Sequence, residues 1–211
     1  VQEVESPSAA RTDAGFVAHD LGGGARFWTG RLPAALVPDA EGFETLWRLH
    51  PAEFHEIKMH GRSVRTPRWQ QAYGKDYFYS GVVNRALPVP PELRPFLDWA
   101  RTAIDRQLNA LLLNWYDGKL GHYIGRHRDS VKGMIDATPI VTISLGEERI
   151  FRLRRWPFAA GQTPLDFRAE NGSVFIMDRE TNRAFTHEVP RTSTAVGRRI
   201  SITLRGFVDM Q

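Results

Sequence analysis

Three residues in this chain carry metal-ligating side chains at a spacing that could do chemistry: His127, Asp129 and His187. On an extended segment residues i and i+2 point the same way, so the imidazole of His127 and the carboxylate of Asp129 can reach one ion. A lone H-x-D is commonplace on protein surfaces and becomes a metal site only with a third ligand. His187 stands 58 residues beyond Asp129, inside the strand-like run Phe185-Thr186-His187-Glu188-Val189. Two imidazoles and one carboxylate on one face of an octahedron suit non-haem Fe(II) and leave positions open for a chelating cosubstrate and O2. Whether His187 meets the other two is decided by the tertiary structure.

A second set of residues lies in Arg199-Ile200-Ser201-Ile202-Thr203-Leu204-Arg205. The alternation is strict: Ile200, Ile202 and Leu204 share one face of a strand, while Arg199, Ser201, Thr203 and Arg205 share the other. An ordinary amphipathic strand with a solvated arginine face would read the same way. If both faces are covered, two inward arginines need anionic partners, and a dicarboxylate would meet them through paired hydrogen bonds. Asn114-Trp115-Tyr116 closes another candidate strand, with the amide of Asn114 and the phenol of Tyr116 on one side.

These residues must be positioned by a chain of 211 residues with a net charge of +4, 42% hydrophobic composition and no cysteine. The absence of sulfur excludes disulfides, thiolate nucleophiles, Fe–S clusters and cysteine-ligated zinc. No apolar run is long enough for a membrane helix, and the first residues lack the basic-then-apolar order of a secretory signal. A cytoplasmic location is expected, or a nuclear one in a eukaryote. Only Lys58, Lys75, Lys119 and Lys132 of the 28 cations are lysines; arginine forks suit carboxylate and phosphate oxygens, which favours an anionic partner.

The polar stretch through Ala25, with Gly22-Gly23-Gly24, reads as a flexible tail (residues 1–25). Asp39 is a plausible N-cap for a short helix containing Phe43, Leu46 and Trp47. Arg62 to Ser80 reads as strand, turn, strand, rich in Trp69, Tyr73, Tyr77 and Tyr79. After Pro88-Val89-Pro90-Pro91, Leu93, Phe96, Leu97, Ala100, Ile104 and Leu108 define one apolar helix face. Short apolar runs then follow at Leu111–Tyr116, His122–Ile124, Pro139–Leu145, Ile150–Arg154, Ser173–Met177, Ala184–Val189 and Arg198–Val208. Many short strands at these intervals predict a mainly β fold with flanking helices, a sandwich or jelly roll.

Taken together the motifs resemble the Fe(II)- and 2-oxoglutarate-dependent oxygenases, and more narrowly the AlkB dealkylases. The likeness rests on Pro67-Arg68, Tyr77-Phe78-Tyr79-Ser80-Gly81, Asn114-x-Tyr116, Tyr123-Ile124-Gly125, His127-x-Asp129, Pro139 to Gly146, and Arg149-x-Phe151-x-Leu153-Arg154. It continues through Thr186-His187-Glu188-Val189-Pro190 and Arg199-x-Ser201-x-Thr203-Leu204-Arg205, in order from Pro67 to Phe207. The resemblance implies a double-stranded β-helix over residues 26–211, with a substrate-recognition segment at about 62–81 and a jelly-roll core at about 111–208. It implies that His127, Asp129 and His187 hold Fe(II) as the catalytic centre. Arg199 would hold the distal carboxylate of 2-oxoglutarate, with Tyr116 and Ser201, while Asn114, Thr203 and Arg205 line the chelating end. O2 would be the oxidant, and an N-methyl group on DNA, single-stranded, or on RNA would leave as formaldehyde beside succinate and CO2. The base would be flipped against His127, with Trp69, Tyr77 and Tyr79 as the aromatic wall and Arg154 meeting phosphate or base. A monomer without membrane contact is expected.

Two departures bear on the substrate. Members that repair nucleic acid usually carry acidic residues after the H-x-D that read the base and pair with the last arginine; here Ser130-Val131-Lys132 follows, which leaves Arg205 free for another acid. Asparagine is common where Ser201 stands. The same oxygenase chemistry on an RNA modification, a protein or a small molecule remains an alternative, as does a non-catalytic jelly-roll binding module.

Overall fold

The computed structural model describes residues 15–59, 61–79, 82–192, 194 and 197–208. In chain order the elements begin with β1 (Val17–Asp20), β2 (Arg26–Arg31), α1 (Ala40–Trp47), β3 (Glu56–Met59), β4 (Arg62–Arg65), β5 (Trp69–Tyr73), β6 (Tyr77–Tyr79), β7 (Val82–Asn84) and β8 (Ala86–Leu87). Then follow α2 (Arg94–Ala103), β9 (Ala110–Asp117), β10 (Ile124–His127), β11 (Ile140–Gly146), β12 (Arg149–Arg155), β13 (Leu165–Ala169), β14 (Ser173–Met177), α3 (Arg179–Ala184), β15 (Phe185–Val189) and β16 (Arg198–Arg205).

Two sheets carry the fold. The larger has eight strands in the order β1-β2-β14-β11-β16-β9-β5-β8, and the smaller has four in the order β10-β15-β12-β13. The strands of both sheets alternate, so each strand of the larger sheet supplies two different surfaces. Its outer surface, including Leu113, Trp115, Ile143, Ile200, Ile202 and Leu204, packs against Leu46 and Trp47 of α1 and Phe96 and Ala100 of α2. Asp39 caps α1 by accepting from Gly42 N–H at 2.8 Å. The buried indole N–H of Trp115 donates to Leu46 O at 3.0 Å, tying that helix to the sheet. On the inner surface, Phe27, Ile140, Phe175 and Met177 meet Phe151, Leu153 and Phe185 of the smaller sheet. This is the jelly roll that the strand spacing predicts.

The structure alters several sequence expectations. The expected tail through Ala25 is a strand hairpin from Val17 onward: β1 pairs antiparallel with β2, and the turn passes through Gly22, Gly23 and Gly24, all with φ between 65° and 81°. What anchors it is Phe16, buried where a Cβ on Gly30 would meet its ring at 2.3 Å. One phenylalanine over one glycine leaves no trace in composition. Residues 1–14, the rest of the expected tail, lie outside the described residues. α2 stops at Ala103, although Leu108 beyond it is fully buried. Strand β13 and the six-residue α3 were not anticipated; β13 exposes most of its side chains, and α3 is short enough that its one signal is Asp178, whose carboxylate accepts from Thr181 N–H at 2.6 Å.

Ile202 sits on the helix-covered side of β16, back to back with Ser201 and Thr203. Ile202→Ala is therefore expected to lower unfolding free energy by about 2–5 kcal/mol in urea titration, with metal affinity unchanged. A loss of metal affinity would show that the two faces of β16 are not independent.

Candidate metal and cosubstrate site

The two histidines meet because β10 and β15 pair antiparallel with His127 directly opposite His187. Their ring centroids are 4.2 Å apart. Asp129 follows two residues past His127, with its Oδ1 at 3.7 Å from His127 Nε2 and 3.8 Å from His187 Nε2. All three ligand atoms lie within 4.8 Å of one another. The backbone of Asp129 is held by Asn182 of α3: Asp129 N–H donates to Asn182 Oδ1 and Asn182 Nδ2 donates to Asp129 O, both at 3.0 Å. The short helix preceding β15 thus fixes the carboxylate relative to His187. Nδ1 of His127 lies 2.9 Å from Gly125 O; a proton donated there makes Nε2 the nitrogen with the lone pair for a metal.

Electrostatics keep the trio in its ligating form. Burial, with His187 alongside, pushes the His127 imidazole down to about 3. Burial lowers His187 as well. Burial alone would raise Asp129, but Arg205 and the two imidazoles hold its carboxyl below the usual range.

The opposite wall is built from β16, β9 and β11. The register places Ser201 across from Asn114 on one side and Ser144 on the other, and Arg199 across from Tyr116. Arg199 is 1% exposed. Its Nε donates to Ser144 Oγ at 2.8 Å and its guanidinium carbon lies 5.1 Å from the Tyr116 ring centroid. Its two terminal nitrogens are buried without a hydrogen-bond partner, and burial pushes its pKa down to about 10. A buried guanidinium with both terminal nitrogens unsatisfied calls for a carboxylate that accepts from both. The residues therefore fit a 2-oxo dicarboxylate at one end of the cavity and a divalent metal at the other. Asn114, Tyr116, Ser201, Thr203 and Arg205 line the same cavity as the metal trio.

Arg205 is not free, contrary to the expectation from the missing acidic residues. Its Nη2 pairs with Asp129 Oδ2, and its guanidinium carbon sits 4.5 Å from the Tyr77 ring centroid. With no carboxylate following the H-x-D, the aspartate of the motif itself is the acid within reach. The aromatic wall is also redistributed. Tyr77 lines the cavity and its hydroxyl donates to Asp129 Oδ1 at 3.3 Å. Trp69 instead stacks on His50 and Phe54, with centroids at 4.3 and 5.1 Å, because it faces the helix side of β5 opposite Trp115. Tyr79 closes β6, and its side chain lies outside the described residues. Arg154 does not line the cavity; it donates to Glu188 Oε1, which does, at 2.7 Å. Val131 is exposed, and Lys132 Nζ lies 4.6 Å from the Phe78 ring centroid.

Sequence reasoning gave no role to three buried residues beside these. Arg68 and Gln70 line the cavity, and Asn84 lies behind Gln70, its Oδ1 2.7 Å from Gln70 Nε2. Gln70 lies across from Asn114 in the pairing of β5 with β9. Their signal was the alternation Arg68, Gln70, Ala72, which carries meaning only once that pairing is known.

A metal face and a carboxylate receptor enclosed by one jelly roll define an iron- and 2-oxo-acid-dependent oxygenase. Residues 43–205 match the model of the 2OG-Fe(II) oxygenase superfamily, and the chain belongs to that superfamily. It is similar to the DNA oxidative demethylase ALKBH2 of Homo sapiens, 27% identical over 158 residues, 71% of this chain and 60% of the relative. The mouse (Mus musculus) DNA oxidative demethylase ALKBH2 is 26% identical over 159 residues, 71% of this chain and 66% of the relative. The chain therefore spans less than two thirds of the length of these relatives. A solved structure described as "The structure of OsALKBH1" superposes with a TM-score of 0.57 at 12% identity, over 90% of this chain and 100% of that one, and shows the shared fold. The superfamily works with Fe(II), 2-oxoglutarate and O2.

Because burial lowers both imidazoles below the usual histidine range, protons compete little for the ligands near neutrality. Co(II) affinity measured by calorimetry is expected to change less than about threefold between about pH 5.5 and 7.5; a tenfold loss at the lower pH would contradict the assignment. The metal-free protein, by contrast, should lose stability as pH falls below about 6.5, where the unfolded chain takes up protons that the buried rings refuse. Asp129→Ala should abolish Co(II) binding.

Proposed function

We propose that this protein removes alkyl groups oxidatively from N-alkylated bases in DNA, single-stranded in preference, or in RNA, yielding formaldehyde, succinate and CO2. The observation that carries this reading is the enclosure of His127, Asp129 and His187 in one cavity with the unsatisfied guanidinium of Arg199. The DNA demethylases among the similar proteins support the substrate class.

In this reading His127 Nε2, Asp129 and His187 Nε2 hold Fe(II), which with 2-oxoglutarate and O2 supplies the oxidant for the C–H bond of the alkyl group. Arg199, with Tyr116 and Ser201, binds the distal carboxylate and fixes the cosubstrate end to end. Asn114 and Thr203 line its chelating end. Arg205 neutralises Asp129 and keeps its orientation without competing for Oδ1. The base enters beside His127 with Tyr77 as a wall, which places the alkyl group near the metal face and excludes water. A single strand spares the unpairing that flipping from a duplex requires. Support for a nucleic-acid backbone comes from Arg126 and Arg128, exposed on either side of His127 and without an acidic partner among the described residues. Arg128 also lies 5.4 Å from the ring centroid of exposed Trp156. Such unpaired cations suit phosphates. The enzyme is read as a monomer.

The test follows succinate and methyl mass together, with Fe(II) protein, 2-oxoglutarate, O2 and single-stranded oligonucleotides bearing N-methylated bases. Methyl loss in step with succinate is expected; succinate without methyl loss from any base would overturn the substrate assignment. Arg199→Ala should raise the 2-oxoglutarate concentration for half-maximal rate by about tenfold or more while Co(II) affinity stays constant. Equal losses in both would contradict its role as the carboxylate receptor.

A further inference from the structure

Three arginines line the cavity, and two of them have an anion to meet. Arg205 pairs with Asp129, and Arg199 aims its unsatisfied nitrogens at the carboxylate of the cosubstrate. Arg68 has none. It is 4% exposed, and its hydrogen bonds are to amide oxygens alone: Nε to Asn114 Oδ1 at 2.7 Å and Nη2 to Gln70 Oε1 at 3.1 Å. Among the described residues no carboxylate pairs with it. Glu188, the other acid lining the cavity, is held by Arg154. The three residues after Asp129 bring no acid back, since they are Ser130, Val131 and Lys132.

A guanidinium has only donors, so it also sets the polarity of what surrounds it. Arg68 requires Gln70 to turn its oxygen inward, and Gln70 Nε2 then donates to Asn84 Oδ1 at 2.7 Å. The chain ends on Asn84 Nδ2, a buried donor without a partner. This wall presents the positive charge of Arg68, and among the described residues the two carboxylates that line the cavity, Asp129 and Glu188, are already paired with Arg205 and Arg154. A buried cation that meets only neutral amides is costly unless a ligand completes its shell.

We infer that Arg68 reads the substrate, and that the preferred base is uncharged and offers a carbonyl oxygen on both sides of its methylated nitrogen, as 3-methylthymine does, whereas a base made cationic by methylation, such as 3-methylcytosine, is disfavoured. The inference rests on the nucleobase reading of the site and specifies the lesion class that reading leaves open. In 3-methylthymine the methylated nitrogen lies between two carbonyls, either of which can accept from Arg68, while 3-methylcytosine replaces one of them with an exocyclic amine donor and brings a positive charge towards the guanidinium.

The experiment compares short single-stranded oligonucleotides carrying either base. Binding to the Mn(II)- and 2-oxoglutarate-loaded protein is read by fluorescence anisotropy, and turnover of the Fe(II) enzyme by methyl loss and succinate. The wild type is expected to favour 3-methylthymine by about tenfold or more in both Kd and kcat/KM. Arg68→Met should erase that ratio, mainly by weakening 3-methylthymine, and Arg68→Lys should retain part of it. Equal or better handling of 3-methylcytosine by the wild type would overturn the inference, as would an Arg68→Met variant that weakens both substrates equally. If Arg68→Met does not fold, the wild-type ratio alone decides. Succinate production with no methyl lost from either base would overturn the nucleobase reading itself, an outcome distinct from a reversed preference.

Discussion

Asp129 is a buried carboxylate held between two imidazoles that stay neutral and one guanidinium that stays charged, and the arrangement of the site depends on it. Its Oδ1 faces both His127 and His187, its Oδ2 pairs with Arg205, and its peptide is clamped by Asn182. These contacts come from β10, β15, β16 and α3, so one residue ties the smaller sheet to the larger. An isolated buried charge is far more costly than a paired one, and removing one partner from such a pair costs about 3–5 kcal/mol. Arg205 thereby keeps the carboxylate ionised and aimed while Oδ1 stays available to a metal.

The pairing is possible because β16 divides its residues so cleanly. Ile200, Ile202 and Leu204 lie in the helix-covered core, and Arg199, Ser201, Thr203 and Arg205 line the cavity. Apolar packing on the outer face is strong enough to fix the register, and a slip by one residue would bury the arginines against α1 and α2 and turn the isoleucines into the cavity. The energy that holds the sheet together thus also determines where the cosubstrate receptor points. β9 does the same with Leu113 and Trp115 outward and Asn114 and Tyr116 inward.

The charge pattern on the substrate side of the cavity is set by which residues enter it. The stretch after the H-x-D is Ser130-Val131-Lys132, with Val131 in solvent and Lys132 over Phe78. The cavity face that remains polar is Arg68 with Gln70, backed by Asn84. The residues that would hold metal and cosubstrate share one cavity with this wall, whose charge comes from Arg68.

How much of this was legible in the residues follows from the range of the physics involved. Strand alternation and capping act between near neighbours, so the faces of β16, the short helix after Asp39 and the mainly β architecture could be read directly, and the motif order from Pro67 to Phe207 pointed to the metal and cosubstrate residues. Three outcomes needed the fold. Trp69 sits among His50, Phe54 and His122 because β5 turns it to the helix side. Arg205 takes Asp129 as its partner, although 76 residues separate them. Arg68, in sequence part of a motif with no assigned role, is buried among amides with no acid paired to it among the described residues. Each depends on which strands pair and which charges are left over once they do, and burial makes those leftovers decisive because a low-dielectric interior does not screen them.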